Sequence, residues 1–161
     1  MDPGLATTGY GIIEVDETDN NPVMMSCGVI KTPPETEFCQ RLKIIYQSVN
    51  RLIEKFEPDA IAVEKLYFSK NIKTAFPVAQ ARGVILLAAS NSGVTVDEYS
   101  PLQIKKTITG SGKADKKAMQ KMVTEELELP GIPKPDDAAD GLAIAICHVI
   151  LNRFNARLPD D

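Results

Sequence analysis

Residues 59–64 read DAIAVE, and what this run can form decides the fold. Ala60, Ile61, Ala62 and Val63 are consecutive apolar residues, too few for an ordinary helix and without the alternation of a strand that is wet on one face. Pro58, just upstream, ends the helical pattern before it. A short apolar run bounded in this way suits a strand buried on both faces, inside a sheet covered by helices. The run ends on Glu64. The carboxyl ends of such strands open onto the functional crevice of a layered fold, so Glu64 is a candidate for chemistry.

The elements on either side agree with a layered domain. Upstream, Phe38, Leu42, Ile45, Val49, Leu52 and Phe56 recur at spacings of four and three, one face of an amphipathic helix that belongs to the core. Before it, residues 9–15 (GYGIIEV) and 23–31 read as strands joined by the turn 16–22 (DETDNNP), a hairpin. Downstream come a loop at 65–73, a helix at 74–90 with Gly83 inside it, and a strand at 94–99. A short helix at 101–108 opens on Pro101, a favoured early helical position. A turn through Gly110, Ser111 and Gly112 leads to a helix at 114–127, a loop at 130–135 and a last helix at about 136–155. Strands and helices alternate after an initial hairpin, which predicts an α/β domain with a mixed sheet.

The 161 residues are one domain's worth, expected at 1–155 with a short acidic tail at 156–161. No stretch approaches the roughly 18 apolar residues of a membrane span, and no signal peptide is visible, so a cytoplasmic protein is expected. Cys27, Cys39 and Cys147 are odd in number and widely spaced, which supports neither a disulfide framework nor a zinc site. The single histidine, His148, gives a nucleophile triad little to build on. The net charge is −4, yet residues 103–122 carry six lysines, Lys105 and Lys116 among them, against Asp115 alone. Such segregation can make a DNA-binding face on an acidic protein, and equally a solvated helix face.

The carboxylates carry the remaining chemistry. Asp137 and Asp140 stand three apart at the start of the last helix, on one face that continues through Ile144, Cys147 and Leu151. Acids at a helix N-terminus favour the helix dipole by about 0.3–1 kcal/mol, which accounts well for Asp136. It accounts less well for two acids on an inward face, because unpaired buried carboxylates are costly. Glu64 poses the same problem, and so does Asp2, which precedes Pro3-Gly4 and a tight turn into TTGYG. Converging carboxylates call for divalent, oxygen-seeking cations such as Mg²⁺ or Mn²⁺. Two such ions about 3.5–4 Å apart can activate water and stabilise the leaving oxygen of a phosphodiester. A lone D-x-x-D or a strand-end glutamate remains a weak signal.

Five stretches together are more specific. DPGLATTGYG (2–11), AVEKLYFSKN (62–71), QARGV (80–84), EYSPLQIKKTITGSGKADK (98–116) and IPKPDDAADGLAIAICH (132–148) resemble, in order and spacing, the RuvC family of Holliday junction resolvases. The resemblance implies a ribonuclease-H-like fold, with a mixed five-stranded sheet flanked by helices, and a homodimer. It implies Mg²⁺-dependent, symmetric paired cutting of a four-way DNA junction in recombination and repair, with two ions per subunit and Mn²⁺ able to substitute. It also implies a branch-migration motor as partner. The family's catalytic and metal-binding acids fall on Asp2, Glu64, Asp137 and Asp140. Its base-contacting loop aromatics fall on Tyr67 and Phe68, with Tyr67 the better contact and Phe68 also readable as a loop anchor. Its DNA-binding lysines fall on Lys105 and Lys116. Arg82 reads as a structural ion-pair partner rather than a phosphate ligand, and His148 as structural.

The start departs from the family pattern. A short apolar strand normally precedes the DPG motif, whereas only Met1 precedes Asp2 here. The expectation is a truncated first strand, a frayed Asp2, lower stability, and, as the alternative function, a junction-binding module without catalysis. An actin-like sugar or acetate kinase fragment shares the Asp-x-Gly start, but that fold needs a second domain to close over ATP.

Overall fold

In the computed structural model, residues 1–15, 21–66 and 72–155 are described. Strands β1 (Thr7–Val15) and β2 (Pro22–Lys31) form an antiparallel pair, with Thr7 opposite Lys31, Val15 opposite Pro22, and a register shift at Ile12/Ile13. Helix α1 (Phe38–Phe56) follows, then β3 (Ala60–Glu64), α2 (Ile72–Asn91) and β4 (Thr95–Tyr99). Strands β3 and β4 pair in parallel, Ala60 opposite Thr95 and Glu64 opposite Tyr99. Helices α3 (Pro101–Thr109), α4 (Lys116–Glu126) and α5 (Asp136–Asn155) complete the chain. The expected α/β class holds. Among the described residues the expected five-stranded sheet is present as two two-stranded sheets, β1-β2 and β3-β4, linked only through Met1 and Asp2. The acidic tail at 156–161 lies outside the described residues.

Two residues join the sheets. Asp2 and Gly9 exchange backbone hydrogen bonds of 2.9 and 3.0 Å, an antiparallel pair. On the other side, the Met1 amine donates to the Ala62 carbonyl at 2.5 Å, and the Glu64 N–H donates to the Met1 carbonyl at 3.1 Å. Met1 thereby sits opposite Val63 in parallel register, so Met1-Asp2 forms a two-residue strand between β1 and β3. Beyond it β1 and β3 part. Residues 10–15 and 59–62 then border a groove of about 1090 Å³, with Met1 at one end.

Two cores lie on opposite sides of this sheet. One joins Ile45, Val49 and Ile53 of α1 with Ala81, Ile85 and Ala88 of α2. The other joins α3, α4 and α5 around Ile104, Val123, Leu142 and Ile146. Strand β3 feeds both by alternation: Ile61 and Val63 enter the first, Ala62 the second. This is why its sequence is apolar throughout and carries no polar face.

Candidate active site

The alternation of β3 decides where Glu64 points. Ala62 faces the α3–α5 side, so Glu64, two residues on, faces it too. Met1 packs with Val63 against α1 and α2, which turns Asp2 to the side of Glu64. The two carboxyls, neighbours across a parallel pair, hydrogen-bond to one another. The expectation of a frayed Asp2 is therefore corrected. Backbone bonds hold Met1-Asp2 on both edges, and the loop behind it is pinned as well. Thr8, fully buried, donates to the Gly4 carbonyl at 2.7 Å, and the buried Thr32 hydroxyl donates to that of Leu5 at 2.5 Å.

The other two acids arrive on α5. Its first turns lie directly on β1, at a distance only glycine permits. A Cβ at Gly9 would collide with the Asp137 carbonyl, one at Gly11 would meet Leu142 Cα at 2.5 Å, and one at Gly141 would meet the Tyr10 carbonyl carbon at 2.5 Å. Gly9 is the residue paired with Asp2, so this close approach sets Asp137 beside the first acid. Asp140, one turn on, lies with Asp2 and Glu64 in a cleft of about 250 Å³ whose wall includes Lys105 and Lys116. The three glycines and Thr8 were not singled out from sequence. The glycine alternation in TTGYG and the Asp-Gly at 140–141 are the signals that carried them.

Burial and mutual repulsion show in the protonation of these groups. Glu64 is raised to about 7, first by burial and then by the charges of Asp2 and Asp140. Asp2 is raised to about 6 by burial, then by Asp140, with Asp137 adding to the effect. Burial also raises Asp140, while Lys116 pulls it back. The Met1 amine, fully enclosed, is lowered to about 5 by burial. A proton shared by Asp2 and Glu64 thus offsets part of the crowded negative charge.

Among the described residues no three Asp, Glu, His or Cys side chains already close on a common metal-binding point. The donor set nevertheless fits a hard divalent cation: four carboxylates from three elements, three of them raised by burial and then by their neighbours' charge, with oxygen donors only.

The remaining sequence candidates separate. Tyr67 and Phe68 lie outside the described residues. Arg82 forms an ion pair with Glu98 on β4. The His148 Nδ1 lies 2.9 Å from Tyr99 Oη and 3.7 Å from Asp97 Oδ2, and its Nε2 lies 2.9 Å from Asn152, a network that includes none of the four candidate acids. Asp136, read from sequence as a dipole acid only, meets Lys116 at 3.3 Å and accepts from Gln120 at 3.1 Å.

Comparison with known proteins gives a consistent assignment. The family model described as "Crossover junction endodeoxyribonuclease RuvC" matches residues 1–148. The protein of that name from Ruminiclostridium cellulolyticum is 47% identical over 161 residues, covering 100% of this chain and 96% of its own. That of Desulforamulus reducens is 50% identical over 148 residues, 92% of this chain and 90% of its own. Thermus thermophilus RuvC superposes with a TM-score of 0.88 at 34% identity, covering 96% of this chain and 93% of that one. The same protein in complex with Holliday junction substrate superposes at 0.86 and 31% identity, covering 95% and 92%. With the fold and nearly the whole length in common, this chain belongs to the RuvC family of crossover junction endodeoxyribonucleases.

Proposed function

We propose that this protein is a structure-specific endodeoxyribonuclease that resolves four-way DNA junctions by paired, symmetric hydrolysis of phosphodiesters. The observation that carries the reading is the gathering of Asp2, Glu64 and Asp140, with Asp137 alongside, from three elements into one cleft walled by lysines. The family is one of metal-dependent nucleases, and Asp2, Glu64, Asp137 and Asp140 are the side chains that would hold the ions, with Mg²⁺ the expected metal. Such cations, when bound, activate water and stabilise the leaving oxygen. Asp2 and Glu64 give up the proton they share when the site is loaded. Lys105, on the cleft wall, draws the scissile phosphate in, and Tyr67 stacks on an unpaired base at the crossover.

Paired cutting calls for two sites related by a two-fold axis. Helix α2 presents an outward stripe of Phe76 and Leu87, 63% and 53% exposed, with Gly83 between them and open space beyond it. This stripe is the proposed homodimer face, and Leu87→Asp should convert a dimer to a monomer in light scattering. A wild-type chain that is already monomeric at micromolar concentration contradicts it. No described helix is long and apolar enough to cross a membrane. We place the protein in the cytoplasm with its DNA and a branch-migration motor.

The direct test is incubation with a symmetric four-way junction and with a linear duplex of the same sequence. Paired nicks in the junction alone, present with Mg²⁺ and absent with EDTA, are expected. Equal cutting of both substrates, or cutting in EDTA, contradicts the proposal.

A further inference from the structure

Lys105 and Lys116 wall the same cleft, yet the structure treats them differently. Among the described residues Lys105 makes no ion pair. Lys116 makes two: its Nζ lies 3.4 Å from Asp140 Oδ2 and 3.3 Å from Asp136 Oδ2. Its position is fixed from below. Lys116 is the first residue of α4, where Asp115 caps the helix by accepting from the Ala118 N–H at 2.8 Å, and α4 packs against α5. Asp136 and Asp140 stand one turn apart on α5, so one ammonium reaches both. Only Asp140 lines the cleft with Asp2 and Glu64; Asp136 lies outside it, on the exposed rim.

The geometry points to Lys116 as an internal counter-cation that competes with the divalent metal for Asp140, while Asp136 retains the displaced ammonium at the edge of the cleft. This rests on the nuclease reading and adds a positioning residue to it. In the metal-free protein a single positive group pairs with Asp140 and offsets part of the charge it sets beside Asp2 and Glu64. A divalent ion needs the same oxygen and carries twice the charge. Lys116 is then left on Asp136, beside the cleft, with donors free to face a phosphate. The exchange is easy because the pair is weak: the Lys116 side chain is 52% exposed, and exposed ion pairs hold only marginally. A buried lysine in this place would instead block the metal.

The test measures metal binding and the lysine separately, without DNA. Mn²⁺ affinity is read by calorimetry for wild type, Lys116→Gln and Lys105→Gln. Lys116→Gln should tighten binding about 2–5-fold, the range that loss of a weak competing pair allows. Lys105→Gln removes the same charge from the same wall without removing an ion pair, and should change affinity less than half as much. In lysine-selective NMR the Lys116 ε-methylene signal should shift on adding Mg²⁺ and saturate with metal occupancy. Asp140→Asn without metal should already show the signal displaced from its wild-type position. Equal effects of the two lysine variants, unchanged affinity in Lys116→Gln, or a Lys116 signal indifferent to Mg²⁺ overturns the competition while leaving the nuclease reading intact. Absence of any saturable Mn²⁺ binding that Asp140→Asn weakens overturns both.

Discussion

Asp2 and Glu64 carry the consequences of crowding most plainly. Both are raised, first by burial and then by neighbouring charge, to about 6 and about 7 from ordinary values of 3.8 and 4.5. Between pH of roughly 4 and 7 the folded, metal-free protein therefore binds more protons here than the unfolded chain does, and stability falls as pH rises through that window. Each carboxyl can contribute at most about 3 kcal/mol, and because the two are coupled the amounts are not additive. The melting temperature in EDTA should drop from pH 4.5 to 7.5 more steeply in wild type than in Glu64→Gln, and Mg²⁺ at pH 7.5 should restore much of the loss. A wild-type profile parallel to that of Glu64→Gln would mean that the pair is not strained. Glu64 was readable from sequence because an acid closing an apolar strand has no structural excuse. Asp2 stood out only as an acid before a tight turn and took its role from the family resemblance, since its pairing with Gly9 and its nearness to Glu64 are long-range facts with no local pattern.

Among the elements, the contact of α5 with β1 matters most to the site. The hydrophobic pattern located both and gave α5 the bounds it has, residues 136–155. What the pattern could not give is how closely they approach. Period and polarity report which face is buried, whereas separation depends on missing side chains at Gly9, Gly11 and Gly141. Gly9→Ala and Gly11→Ala should each destabilise by about 1–3 kcal/mol, the usual cost of forcing atoms into a packed interface. They should also cut activity beyond what the lost stability explains, because α5 must slide and carry Asp137 and Asp140 with it. Denaturant melts paired with junction cleavage below the melting transition check this. Full activity in a destabilised Gly9→Ala would show that the acids do not depend on that approach. Tyr67 and Phe68, outside the described residues, stay at the level of resemblance, since no periodicity in the sequence around them marks a role.

For the molecule as a whole, the groove between β1 and β3 is the feature that most affects stability. It is bordered by strand edges whose backbone groups would otherwise be paired, and its position follows from the register: Asp2 faces Gly9, so residues 10–15 of β1 face the opening. An extended apolar hexapeptide fused ahead of Met1 should continue the two-residue strand, antiparallel to β1 and parallel to β3. Burying even three apolar side chains there contributes roughly 4–9 kcal/mol before the cost of ordering the chain. The melting temperature should rise on the order of 10 °C. No rise would mean that the groove closes by other contacts. Asp2 is tied more firmly than its place near the chain start predicts, because backbone pairings hold Met1-Asp2 on both edges.

The central proposal is that Asp2, Glu64, Asp137 and Asp140 form one metal-dependent site that cuts junction DNA. The most direct measurement separates binding from cutting in Glu64→Gln and Asp137→Asn, using a symmetric four-way junction with Mg²⁺. Each variant should lose cleavage by at least about a hundredfold, roughly 2.7 kcal/mol of transition-state stabilisation. Each should bind the junction as tightly as wild type or more so, since a negative charge near phosphate has been removed. Cleavage by either variant at a rate comparable to wild type, with junction binding unchanged, would contradict the assignment of the site.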